Sequence, residues 1–82
     1  MNPYGRMLVN KLDKDKNDRV KVIFTVPKNH NSLIKTVKDH GGEYVKSIPN
    51  DENEHIEKDI LVYLPNESIQ KVKTFWMQNC LT

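Results

Sequence analysis

Residues 19–26, RVKVIFTV, place Val20, Val22, Phe24 and Val26 on one side of an extended chain and Lys21, Ile23 and Thr25 on the other. Pro27 follows at once, then Asn29 and Asn31, which suit a helix N-terminus, then Leu33, Ile34 and Val37 at helical spacing. Gly41-Gly42 closes that helix, expected over residues 30–40. The second half of the chain repeats this order. Residues 59–64, DILVYL, put Ile60, Val62 and Leu64 on one face and Leu61 and Tyr63 on the other. Pro65 ends the run, Asn66 is a good N-cap, and Ile69, Val72, Phe75, Trp76 and Cys80 make the apolar stripe of a helix expected over residues 67–79.

Each strong strand is preceded by a weaker one across a polar connection: residues 6–12 before the first and 43–48 before the second. The predicted fold is α+β, ββαββα, with a four-stranded, largely antiparallel sheet and both helices packed on the face carrying Val20, Val22, Phe24, Ile60, Val62 and Leu64. Residues 1–82 are expected to form a single small domain. The other sheet face then carries Lys21, Ile23, Thr25, Leu61 and Tyr63. A chain of this size buries roughly two-thirds of its unfolded surface, so modest stability is expected.

The formal net charge of +2 is unevenly spread. Residues 1–40 hold nine cations against four anions, and residues 41–82 hold four against seven. Such a split suits an acidic partner unless folding interleaves the halves. A lone cysteine, Cys80, excludes an internal disulfide and fits a reducing compartment. With no apolar leader segment and no long apolar run, the expected location is the cytoplasm, away from membranes. The alanine-free, lysine- and asparagine-rich composition fits an AT-rich genome such as many phages carry.

Little in the sequence points to catalysis. His30, His40 and His55 occupy three different segments without metal-site spacing, so neither a metal nor a cofactor is expected. Residues 49–58 gather Asp51, Glu52, Glu54, His55 and Glu57, which reads as a solvated acidic hairpin loop. No phosphate-binding glycine loop, nucleophile elbow or dinucleotide fingerprint occurs, and the chain reads as non-enzymatic. Residues 33–47 and 59–75 resemble HicA-type toxin ribonucleases over about half of the chain, without that family's glycine-serine-histidine neighbourhood. The resemblance implies a small ribonuclease in which His55 would perform the cleavage.

Two binding readings follow from the residues themselves, and nucleic acid comes first because the basic hairpin is contiguous in sequence, whereas a protein-binding surface must be assembled by folding. A regulator of RNA or DNA would use the basic first hairpin, Lys11, Lys14, Lys16, Arg19 and Lys21, on phosphates, with Tyr63 or Tyr44 as a stacking residue. A protein-binding inhibitor of the type mobile elements encode would use the acidic loop and the apolar end of the last helix. In TFWMQNC, residues 74–80, helical geometry assigns Trp76 to the core, Phe75 to its edge and Met77 to the outside. Phe75, Met77 and Leu81 therefore form a candidate interface with a target or a second copy of the chain.

Overall fold

A computed structural model describes residues 6–27, 31–49 and 57–79. The elements run β1 (Arg6–Lys14), β2 (Val20–Pro27), α1 (Asn31–Asp39), β3 (Glu43–Pro49), β4 (Glu57–Leu64) and α2 (Ile69–Asn79), with a 3-10 turn over Asn66–Ser68 leading into α2. This is the expected ββαββα order. The sheet is antiparallel throughout, in the order β1-β2-β4-β3, so the two strongest strands of the sequence lie at its centre.

The reason is burial. Val20, Val22, Phe24 and Val26 of β2 and Ile60, Val62 and Leu64 of β4 are fully buried under the helices, which contribute Leu33, Val37, Val72 and Trp76. Each such side chain contributes about 1.5–3 kcal/mol on leaving water. The rings of Phe24 and Trp76 sit 5.5 Å apart at a 60° tilt, a favourable edge-inclined contact. The two strands with an unbroken apolar inner face take the centre, where both helices cover them, which leaves the weaker β1 and β3 at the edges.

The repeat suggested by the sequence is also the symmetry of the sheet. Pro27 and Pro65 stand 38 residues apart, as do the first residues of the two helices, Asn31 and Ile69. The same step of 38 relates Ile23 to Leu61, which are cross-strand partners at the middle of the β2–β4 ladder. It also relates the pair Leu8–Ile23 to the pair Lys46–Leu61. A local twofold therefore passes between Ile23 and Leu61.

Both edges depart from the regular ladder. On β1 the register jumps between Asn10, opposite Lys21, and Lys14, opposite Val20, so Lys11, Leu12 and Asp13 bulge out. Asn10 Oδ1 accepts the Leu12 N–H at 3.0 Å and pins this bulge. On β3, Val45 is the extra residue between Tyr44 and Lys46. Irregular edges of this kind obstruct edge-to-edge pairing with other chains.

One local expectation needs correction. Asn66 does not cap α2: Pro65 occupies the cap position with φ −55° and makes no side-chain cap bond. Proline pre-sets the entry φ, so the helical path starts with the 3-10 turn, where the Ser68 N–H reaches Pro65 O at 2.9 Å and the Ser68 hydroxyl reaches His40 O at 2.9 Å. The α1 C-terminus does end at Gly41-Gly42 as expected. Gly41 adopts φ +82°, and the Gly42 N–H bonds Val37 O at 2.8 Å.

Candidate binding surface

The first hairpin carries the cations expected to meet phosphates, and the fold sets three of the five, Lys14, Arg19 and Lys21, beside carboxylates. The Arg19 guanidinium donates to Asp15 Oδ2 at 2.7 Å, to Glu43 Oε1 at 2.9 Å and to the Gly41 carbonyl at 3.3 Å. It thereby ties the basic half of the chain to the acidic half, and the charge split of the sequence is interleaved here. Its hydrogen bond to Asp15 is the main reason its pKa is raised. Partial desolvation pushes Asp15 up, but hydrogen bonds from Arg19 and from the Asn17 N–H outweigh it and hold the carboxyl below its ordinary value. Lys14 lies 3.5 Å from Asp18, and Lys21 lies 3.4 Å from Asp13. Lys11 and Lys16 are exposed and make no ion pair among the described residues.

The aromatic candidates are equally constrained. Tyr63 lies half-buried on the helix-free face, where its hydroxyl donates to Asp13 Oδ1 at 3.1 Å. That hydrogen bond, with desolvation and the nearby negative charge, raises the Tyr63 pKa. Tyr44 sits on the opposite face, packed against the core with its hydroxyl 2.6 Å from Ser47 Oγ, because it pairs with the inward Val62. It is not on the surface that a stacking role requires. At the end of α2, Trp76 is in the core, Phe75 packs against it, and Met77 is 48% exposed, as helical geometry required. Cys80, Leu81, His55 and loop residues 50–56 lie outside the described residues, whereas Glu57, expected in that loop, begins β4 because the ladder to β2 extends to Pro27. Among those described, no group of three or more His, Cys, Asp or Glu could hold a metal ion.

The helix-free face has a clear layout. Three cross-strand rows run β1, β2, β4, β3: Arg6–Thr25–Asp59–Ile48, Leu8–Ile23–Leu61–Lys46, and Asn10–Lys21–Tyr63–Glu43. The middle row is aliphatic across three strands. Leu8 is 53% exposed, Ile23 and Leu61 are half-buried, and Ile48 adds exposed apolar surface on β3. Polar groups frame this row and mostly satisfy one another. The buried Thr25 hydroxyl donates to Asp59 Oδ1 at 2.8 Å, and the bulge brings Asp13 onto Lys21 and Tyr63. Arg6, Lys21 and Lys46 balance Asp13, Asp59 and Glu43, leaving no net charge on the face.

Sequence reading found Ile23, Leu61 and Tyr63 on this face but missed Leu8, whose place in the row depends on the β1–β2 register. It also missed Leu12, which the pinned β1 bulge leaves 97% exposed. A polar cleft of about 410 Å³ opens between Asn17, Asp18, Arg19, Asn66 and Glu67, but its one cation is already committed to Asp15, Glu43 and Gly41. Comparison with protein-family models, curated proteins and solved structures finds no match to this chain, so the ribonuclease resemblance gains no support from them.

Proposed function

We propose that this chain is a non-enzymatic protein-binding module that recognises its partner through the helix-free face of the sheet. The observation that carries this reading is the aliphatic row Leu8–Ile23–Leu61, exposed at Leu8 and half-buried at Ile23 and Leu61, at the centre of a charge-balanced frame. A packed aliphatic centre with a polar rim is the anatomy of a protein interface. A nucleic-acid platform instead needs exposed aromatic rings and free cations.

The charge arithmetic favours the same side. Of the five hairpin cations, Arg19 and Lys21 are held by partly buried carboxylates, while Lys14 meets only the exposed Asp18, which leaves Lys11, Lys14 and Lys16 for phosphates. Three contacts give a salt slope of only about 2.1 on a single strand, well below that of a protein making 6–10 phosphate contacts.

The reading is tested with nuclease-treated lysate and with labelled RNA and duplex DNA. Leu8→Asp, at an exposed position, should retain the fold and lose a partner that the unmodified protein captures. RNA or DNA should be released by moderate salt. Capture unaffected by Leu8→Asp, or RNA binding with a salt slope of about 3 or more, would favour the basic hairpin instead.

A further inference from the structure

We infer that the tip of the β1–β2 hairpin docks on anionic lipid membranes, with Leu12 entering the headgroup boundary and Lys11, Lys14 and Lys16 meeting lipid phosphates. This site is separate from the helix-free face and goes beyond the protein-binding reading. It departs from the expectation of a chain away from membranes, which rested on the lack of a spanning segment. No helix among the described residues is long and apolar enough to cross a membrane, so the contact is with the surface.

Residues 11–18, KLDKDKND, mix both charges evenly along the chain, and the fold sorts them. Asp13 turns onto Lys21 and Tyr63, and Asp15 turns onto Arg19. Both acids are partly buried, whereas Lys11, Leu12, Lys14 and Lys16 are exposed. Asp18 is the acid of this stretch left outside, 3.5 Å from Lys14 with its side chain 85% exposed, where water screens the pair. The outward side of the tip therefore carries three cations, one anion and a leucine that is 97% exposed. Because β1 is an edge strand, its bulge projects from the side of the sheet.

The backbone of the tip suits a surface with little water. The amides of Leu12, Asp15, Asn17, Asp18 and Arg19 all donate within the hairpin, at 2.8 to 3.0 Å. Amides already bonded lose no water partner when the tip leaves solvent, which removes a large cost of bringing a turn to a bilayer. The same amides are closed to phosphates, unlike the open amides of an anion-binding nest. A nucleic-acid backbone would also leave Leu12 in water. A protein would need a pocket shaped for it, whereas a bilayer accepts a lone leucine without a matching shape, and anionic headgroups complement the lysines. The bond from Asn10 Oδ1 holds the Leu12 backbone in place, so little freedom is lost on insertion.

The anchor is weak by its size. Each lysine near an anionic surface strengthens binding about fivefold, and Leu12 adds about tenfold or more on leaving water. Together these give no more than a single acyl chain provides, so attachment is reversible.

Co-sedimentation of the full chain, purified free of nucleic acid, with sucrose-loaded vesicles tests the site. The chain should bind phosphatidylcholine vesicles containing about one-third phosphatidylserine at about 50 mM salt, ignore phosphatidylcholine alone, and be released at about 0.5 M salt. Leu12→Ser should weaken the partition at least about fivefold. Changing Lys11, Lys14 and Lys16 together to glutamine should weaken it at least about tenfold. Leu12→Trp should bind at least as well, and its indole emission should move to the blue on the vesicles, over a constant background from the buried Trp76. Lys73→Gln and Met77→Ser, both on α2 in the helical layer, should each stay within about twofold. Circular dichroism and thermal melting confirm that each variant is folded before its partition is read.

Absence of binding to the anionic vesicles at low salt overturns the site, as does binding that Leu12→Ser leaves intact or that the α2 changes weaken as much. A chain that ignores vesicles but binds labelled RNA through the three lysines assigns the tip to nucleic acid. One that ignores both and loses a captured cellular protein on Leu12→Asp assigns it to a protein contact. Either outcome overturns lipid docking and leaves the helix-free face to its own test with Leu8→Asp.

Discussion

Gly42→Ala is expected to be among the most damaging single-methyl additions in this chain. A Cβ at Gly42 would stand 2.7 Å from Leu64 Cδ2, 2.7 Å from Val37 Cγ1 and 2.8 Å from the Tyr63 carbonyl oxygen. Leu64 and Val37 are both fully buried, so neither has free space to turn into. Tyr63 O belongs to the β4 backbone and can move only with the β3–β4 ladder. Overpacking costs about 1–3 kcal/mol when side chains alone give way, and the immovable carbonyl puts this case at about 3 kcal/mol. In a domain of this size that lowers the melting temperature by roughly 10–20 °C. The neighbouring Gly41→Ala meets a milder obstacle. Its Cβ would lie 3.3 Å from Pro65 Cγ, and its cost comes from φ +82°, at about 1–2 kcal/mol. Thermal and urea denaturation of the two variants should rank Gly42→Ala below Gly41→Ala. A Gly42→Ala protein melting within about 3 °C of the unmodified one would refute the packing argument.

Trp76 should be replaceable by phenylalanine at less cost than its size suggests. Its indole N–H is buried without a hydrogen-bond partner among the described residues, so Trp76→Phe removes an unsatisfied donor worth about 1–3 kcal/mol while opening a cavity of similar cost. Trp76→Ala should cost about 3–5 kcal/mol and leave little folded protein, as measured by urea titration. Ultraviolet titration should show Tyr63 losing its proton above the ordinary phenol range, and Asp13→Ala should bring it back, because the hydrogen bond to Asp13 holds that proton. A raised folded pKa means stability that is complete below about pH 10 and lost as pH rises through the folded value. The Asp15 carboxyl has the opposite sign. Its folded pKa is depressed, so its contribution is present above about pH 4 and lost on acidification, and Asp15→Asn should flatten the acid limb of the stability curve.

The sequence by itself determined the elements and the inner face. Alternation in residues 19–26 and 59–64 made β2 and β4, two prolines and a glycine pair placed the helix limits, and the spacing of Val72 and Trp76 put both in the core. These are local matters, settled by side-chain period and by the φ restrictions of proline and glycine. Tertiary structure decided the candidate binding surface, because cross-strand register depends on partners distant along the chain. Asp13, Asp15 and Glu43 read as scattered acids in the sequence. The β1 bulge brings Asp13 onto Lys21 and Tyr63, and the β2–β4–β3 ladder brings Glu43 onto Arg19, which the short β1–β2 turn already pairs with Asp15, so that much of the hairpin's positive charge is neutralised. Leu8 lies 53 residues from Leu61 along the chain, and only the order β1-β2-β4-β3 joins them through Ile23 into one apolar row. Periodicity assigns a residue to a face within its own strand, whereas the composition of that face is fixed when the strands choose their neighbours.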